Sequence, residues 1–319
     1  MGTVGSPHVR IARPVAFYDK AIVRALPAVP RPVVKRLSDR YIAGETVTEA
    51  MAVVRGLNAQ GKTATIDVLG EEISSDAEAD GIVAEYVEVL EEIERGGLDA
   101  NVSVKLTGLG LKLSYDLCRS NLETVVRDAA GRGRFVRIDM EDSSTTDDTL
   151  RLYRGLREGG HDNVGVVLQA ALRRTLADIE ALADLRPWVR LCKGIYIEPE
   201  SISYRDFDAV RANFVRALDA LLEIGARVAI ATHDDYLVDE GRRAVERHGL
   251  APSDYEFQML LGVRPELGDR LVDEGRRLRI YVPFGRYWYE YSLRRLQENP
   301  KIAGYIASDT LGRLVPGRG

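Results

Sequence analysis

An α/β barrel of eight strand–helix units is the fold this sequence predicts, and three observations predict it. Short apolar, β-branched runs recur along the chain, and amphipathic stretches separate them. Nearly every run also contains or ends in a polar residue that a plain core would not tolerate.

Pro14, Pro27, Pro30 and Pro32 break the first residues into short pieces. Thr46-Val47-Thr48-Glu49 then reads as a capping box, with Thr46 accepting from the Glu49 amide while Glu49 reaches back. It opens a helix through MAVVRGLN that ends near Gly61. Residues 1–60 are therefore expected to be an N-terminal helical segment, 61–300 the barrel and 301–319 a C-terminal tail.

The apolar runs are ATIDVLG (64–70), VSVKLTG (102–108), FVRIDME (135–141), VGVVLQA (164–170), VRLCKG (189–194), RVAIATHD (227–234), YEFQMLLG (255–262) and LRIYVPFG (278–285). Continuous apolar strands alternating with helices imply a parallel sheet covered by helices. Eight such units over about 240 residues match a (βα)8 barrel. The competing architecture is a doubly wound open sheet, which would carry a Gly-rich phosphate loop after an early strand. No GxGxxG or GxxxxGK[ST] is present.

The chain has 319 residues, is 45% hydrophobic and carries a formal net charge of -5, so nothing global favours nucleic acid as a partner. Cys118 and Cys192 form no CxxC spacing, which argues against zinc or a disulfide framework and for a reducing, cytoplasmic compartment. Cys192, inside an apolar strand, reads as core. No stretch is long and apolar enough for a membrane span, and the first residues lack a secretory apolar run. Residues 10–36 are basic, with Asp19 as the only acid. They could form a helix lying on a membrane surface, or an ordinary docked surface helix.

The polar residues of the runs are Asp67 with Glu71, Lys105, Asp139 with Glu141 and Asp142, Gln169, Lys193, His233 with Asp234, Gln258, and Tyr281. The carboxyl ends of barrel strands meet at one rim, where barrel chemistry is done, so these residues predict a lined pocket. After the eighth run comes RYWYEYSLRRLQEN, with Arg294 and Arg295 adjacent and Glu298 placed to hold one guanidinium. Two guanidiniums can grip a carboxylate with bidentate geometry, so a small acidic ligand is implied.

These residues resemble the bacterial monofunctional proline dehydrogenases. The matching blocks are DVLGE (67–71), SVKLTGLG (103–110), RIDMED (137–142), VVLQA (166–170), VRLCKGIY (189–196), ATHDD (231–235), YEFQMLLG (255–262) and RIYVPFGRYWYEYSLRRLQEN (279–299). The resemblance implies a distorted (βα)8 TIM barrel and an FAD-dependent oxidation of L-proline to pyrroline-5-carboxylate. In that reaction a hydride passes from C5 to flavin N5 and the electrons go on to a quinone. By resemblance, Arg294, Arg295 and Lys105 look like the clamp on proline's carboxylate. Tyr281 resembles the tyrosine that packs on the pyrrolidine ring, and Asp139 the acid that orients it. Glu71 resembles the partner of Arg294, and Glu298 sits within the RRLxEN element. Gln169, Arg190, Lys193, Tyr196, Thr232, His233 and Glu256 are similar to flavin-binding positions, with Arg190 the neighbour of N5.

Three departures stand out. The family's KGAY is KGIY here, placing Ile195 near the flavin; its ATHN ends in Asp234; and no tryptophan follows Tyr196. Two rival functions remain open from the residues alone. One is a Schiff-base aldolase using Lys193 or Lys105. The other is a non-catalytic barrel that senses an amino acid.

Overall fold

Each predicted run forms a strand in the computed structural model, which describes residues 34–35, 38–70, 73–289 and 291–293. The strands are β1 Thr63–Val68, β2 Ala100–Val104, β3 Val136–Ile138, β4 Val164–Gln169, β5 Trp188–Cys192, β6 Arg227–Ala231, β7 Tyr255–Leu260 and β8 Leu278–Phe284. All neighbours pair in parallel, in sequence order, and β8 returns to β1 with Thr65 beside Tyr281 and Ile66 beside Val282. The sheet is a closed barrel, so the open-sheet alternative is excluded.

Helices α1 Val47–Ala59, α2 Asp76–Arg95, α3 Tyr115–Gly131, α4 Thr146–Glu158, α5 Thr175–Ala181, α6 Phe207–Glu223, α7 Asp235–Arg247 and α8 Pro265–Asp273 surround it. The capping box forms as read: Thr46 Oγ1 accepts from the Glu49 amide at 3.3 Å, and Glu49 Oε2 accepts from the Thr46 amide at 3.0 Å. None of the helices among the described residues is long and apolar enough to cross a membrane.

Alternation along the strands divides two cores. Ile66, Val102, Val104, Ile138, Val166, Val189, Ile230, Phe257 and Val282 are buried in one hydrophobic cluster with Ile82, Leu122, Leu152, Phe214 and Leu237 of the helices. Each fully buried aliphatic side chain stabilises by roughly 1.5–3 kcal/mol, and this layer holds the barrel together. The alternate residues face the lumen and are largely polar: register places Asp67 beside Ser103, Ser103 beside Arg137, and Gln258 beside Arg279.

Ser38–Trp288 forms one unit. Helix α1 thus belongs with the barrel, and the Ala43 amide donates to the Pro283 carbonyl of β8 at 2.8 Å. Met1–Leu37 and Tyr289–Gly319 form the other unit. The basic segment 10–36 and the tail 301–319 lie outside the described residues, apart from Val34 and Lys35. Cys118 and Cys192 are both free, and burial pushes their thiols up to about 12 and about 11. Neither is a nucleophile at neutral pH.

Candidate active site

The lumen carries more charge than its depth would tolerate unpaired. Asp67 has no exposed surface, and Asp139 and Arg190 are both buried. Removing a charge from water costs several kcal/mol unless it is paired and hydrogen-bonded. The sequence meets this by facing opposite charges across the barrel. Lys105, one residue past β2, donates to both Asp67 carboxylate oxygens at 2.6 Å. Its ammonium also donates to the Tyr281 hydroxyl at 3.1 Å, and that hydroxyl donates onward to Asp139 Oδ2 at 2.8 Å.

Asp139 lies just past β3 and gathers the opposite wall. Its Oδ1 accepts from Ser103 Oγ at 2.6 Å and from Arg190 Nη1, while Lys105 Nζ stands 3.8 Å from Oδ2. Burial would raise the Asp139 carboxyl, but Arg190, Lys105, Ser103 and Tyr281 together hold it below the usual carboxylate range. It is therefore a fixed anion and not a proton carrier at neutral pH.

Arg190 reaches across the lumen from β5. Nε donates to Gln258 Oε1, and Nη1 donates to Asp139 and, at 3.2 Å, to Ser103 Oγ. Nη2 is buried and has no hydrogen-bond partner among the described residues. An unpaired buried guanidinium nitrogen is costly, so Nη2 is a donor open to an acceptor at the rim. The guanidinium also lies 5.3 Å from the centroid of the Tyr281 ring.

The remaining predicted residues occupy the same rim or the layer beneath. Gln169, at the end of β4, donates from Nε2 to the Glu141 carbonyl at 2.8 Å. Gly194 adopts φ +97, and a Cβ there would stand 2.7 Å from Gln169 Oε1, so the backbone after β5 passes close over that amide. Lys193 pairs with Asp234 at 3.2 Å. Arg211 of α6 grips the same carboxylate with two bonds of 2.6 and 2.9 Å. Thr232 is buried and its hydroxyl accepts from the Asp234 amide at 3.2 Å, while His233 Nε2 accepts from the Leu260 amide at 2.9 Å. Tyr196 is half-buried in the loop after β5, next to the exposed Ile195. Glu256 lies lower in the lumen, bound by Arg279 and by Gln258.

Glu71, Arg294, Arg295 and Glu298 lie outside the described residues. Asp67, Ser103 and Gln258 were not among the assigned roles, yet each holds one of the residues that were; Arg211 holds Asp234, which in turn pairs with Lys193. Both lysines of the aldolase reading are engaged by carboxylates, Lys105 by Asp67 and Lys193 by Asp234. A Schiff-base nucleophile would first have to leave that partner.

Residues 50–307 match the sequence profile described as "Proline dehydrogenase". The chain belongs to the proline dehydrogenase family. Proline dehydrogenase of Deinococcus radiodurans is 36% identical over 307 residues, covering 92% of this chain and 98% of that protein. Proline dehydrogenase 1 of Bacillus subtilis strain 168 is 37% identical, covering 85% and 90%. Among solved structures, proline utilization A (PutA) from Bdellovibrio bacteriovorus superposes with a TM-score of 0.78 at 25% identity, covering 86% of this chain and 36% of that one. The chain thus spans about a third of that solved protein. The resemblance to monofunctional proline dehydrogenases holds, and the (βα)8 architecture agrees with the barrel observed.

Proposed function

We propose that this chain oxidises L-proline to Δ1-pyrroline-5-carboxylate with FAD held at the strand-end rim. Bound FAD would supply the redox chemistry, a two-electron oxidation of proline at C5 by hydride transfer to flavin N5, with a quinone as the final acceptor. The observation that carries the reading is the unpartnered Nη2 of Arg190, a fixed cation at the centre of an otherwise bonded network. A guanidinium there favours an acceptor that gains negative charge on reduction.

The chain's own residues place and orient. Tyr281 is held at its hydroxyl from two sides, so its ring offers a fixed wall against which the pyrrolidine packs. Lys105, with Arg294 and Arg295, binds the substrate carboxylate. Glu71 and Glu298 are proposed to steady the arginine pair. Gln169, Lys193, Tyr196, Thr232 and His233 are proposed to line the flavin, with Lys193 and Arg211 nearest its anionic portion. The substrate amine reacts as the neutral form, so turnover rises with pH until that group is deprotonated. A cytoplasmic protein with residues 10–36 resting on the membrane would bring the flavin near a lipid-dissolved quinone.

The test is the visible spectrum of purified protein before and after anaerobic L-proline. Bleaching of a flavin band is expected; retained absorbance rejects the reaction.

A further inference from the structure

Beneath the rim a second polar layer leads back to Arg190. Gln258 and Glu256 are two residues apart on β7 and share its lumen face. Gln258 Nε2 donates to Glu256 Oε1 at 2.5 Å, and its Oε1 accepts from Arg190 Nε. An amide has one donor end and one acceptor end, so whatever fixes one end fixes the other. Glu256 is itself anchored: Arg279 Nε lies 3.0 Å from each carboxylate oxygen, and Arg279 Nη1 donates to the Ala64 carbonyl at 2.6 Å. All four side chains are buried, which leaves no water to compete for these bonds.

We propose that Glu256 is a positioning residue that acts on the flavin through Gln258 and Arg190, and not by touching the cofactor. This rests on the proposed placement of Arg190 beside the flavin. An ionised Glu256 accepts only, so the Gln258 amide must present its NH2 downward and its carbonyl towards Arg190. That carbonyl takes Nε while Asp139 takes Nη1, and two fixed bonds orient the guanidinium plane. The direction in which Nη2 points is thereby set from the barrel floor.

Two routes by which Glu256 could influence the flavin have opposite signs. As a through-space anion it disfavours the charge gained on reduction, so its removal would raise the midpoint potential. As the orienter of Arg190 it favours that charge, so its removal lowers the potential. Gln258→Met cuts the link without changing any charge and leaves the Glu256–Arg279 pair whole.

The experiment measures the flavin midpoint potential, flavin content and thermal midpoint of the holoenzyme as Q258M, E256Q and R190M, and of each of the first two combined with R190M. The expected result is a lower potential in R190M, a shift towards that value in Q258M and E256Q, and no further change when Q258M is added to R190M. E256Q in the R190M background should instead raise the potential, because only the through-space effect is left. An unchanged potential in Q258M, with R190M lowered, overturns this inference alone. An unchanged potential in R190M overturns the placement of Arg190, and this inference with it. Proline failing to bleach the flavin of the unmodified protein rejects the proposed reaction separately. Should E256Q fail to fold, Q258M decides the question.

Discussion

The Tyr281 hydroxyl donates to Asp139 Oδ2 at 2.8 Å, joining the last strand of the barrel to the third across the lumen. Because Lys105 donates to the Tyr281 hydroxyl oxygen at 3.1 Å, both the donor and an acceptor site of that hydroxyl are used. The tyrosine ring is therefore located by charge on both sides, and its removal should be felt in the chemistry more than in the fold.

Tyr281→Phe keeps the ring and deletes those two bonds. Hydrogen bonds to charged partners contribute about 1.5–3 kcal/mol, so kcat/KM for proline should fall roughly 10- to 100-fold. Flavin content should not change. Steady-state kinetics with a quinone analogue as acceptor checks this, and an unaltered kcat/KM would show that the ring needs neither bond of its hydroxyl to serve the reaction.

Asp67→Asn tests how much of the lumen is structural. Asp67 is wholly buried and the Lys105 side chain is 10% exposed, so the lysine would lose the carboxylate that it contacts at 2.6 Å where water cannot replace it. Breaking such a pair costs about 3–5 kcal/mol, whereas removing both charges can be nearly neutral. Chemical denaturation should show a large loss in D67N and recovery of most of it in the D67N/K105M double variant. Equal stabilities of the two variants would contradict the pairing.

The barrel was legible from the runs because short apolar, β-branched segments separated by amphipathic stretches mark strands covered by helices, and that texture survives without any knowledge of register. The rim was legible too, since Lys105, Asp139, Gln169 and Tyr281 interrupt those runs. What the linear pattern concealed was pairing. Nothing in the sequence joins Asp67 to Lys105 or Arg190 to Gln258, because β5 and β7 meet only through the closed lumen. A period-two signal was nonetheless present: Ser103 and Lys105, Arg137 and Asp139, Glu256 and Gln258, and Arg279 and Tyr281 are polar pairs at i and i+2. In a strand that spacing means one face, and the closed barrel makes it the lumen. Arg211, which lies in a helix, had no comparable mark.

Asp139 and Glu256, two of the buried carboxylates, give the chain a predictable acid limit. Burial opposes ionisation of Glu256, but Arg279, helped by Gln258, Arg137 and Arg277, outweighs it, and the carboxyl is depressed as Asp139 is. A group with a depressed folded value binds fewer protons than the unfolded chain as the solution becomes acidic. It therefore stabilises above the ordinary carboxylate value of about 4, and that contribution disappears as pH falls through the folded value. Urea midpoints should stay level from about pH 8 to about pH 5 and drop below about pH 4. Asp139→Asn should lose stability at neutral pH and show a shallower acid decline. A D139N decline as steep as that of the unmodified protein would exclude Asp139 as its source.

Gly165 answers a packing demand at the barrel floor. A Cβ there would collide with Arg137 Nη1 and stand 2.5 Å from the Trp188 carbonyl, the two partners of a part-buried hydrogen bond. Burial already lowers Arg137 to about 9, with Arg190 acting in the same direction, so loss of a carbonyl partner would be poorly tolerated. Overpacking costs about 1–3 kcal/mol, and Gly165→Ala should lower the thermal midpoint by several degrees. An unchanged midpoint would show that Arg137 can move aside.

Asp234 stands where the resemblance expects an amide, and the structure shows what the carboxylate does. It binds Arg211 through two bonds and Lys193 through one, and the two cations hold it ionised below the usual range although burial opposes them. Both cations flank the rim where a dinucleotide would place its negative charge, so Asp234 offsets part of their attraction. Asp234→Asn keeps the shape and removes that offset. Lys193 and Arg211 are 33% and 28% exposed, so solvent screening limits the gain to roughly 1 kcal/mol, or about fivefold tighter FAD binding. Titrating the flavin-free protein with FAD while following flavin fluorescence measures it, and raising the salt concentration should narrow the difference. Weaker binding by D234N would mean that Asp234 holds the two cations in place for the cofactor, and that their geometry outweighs their charge.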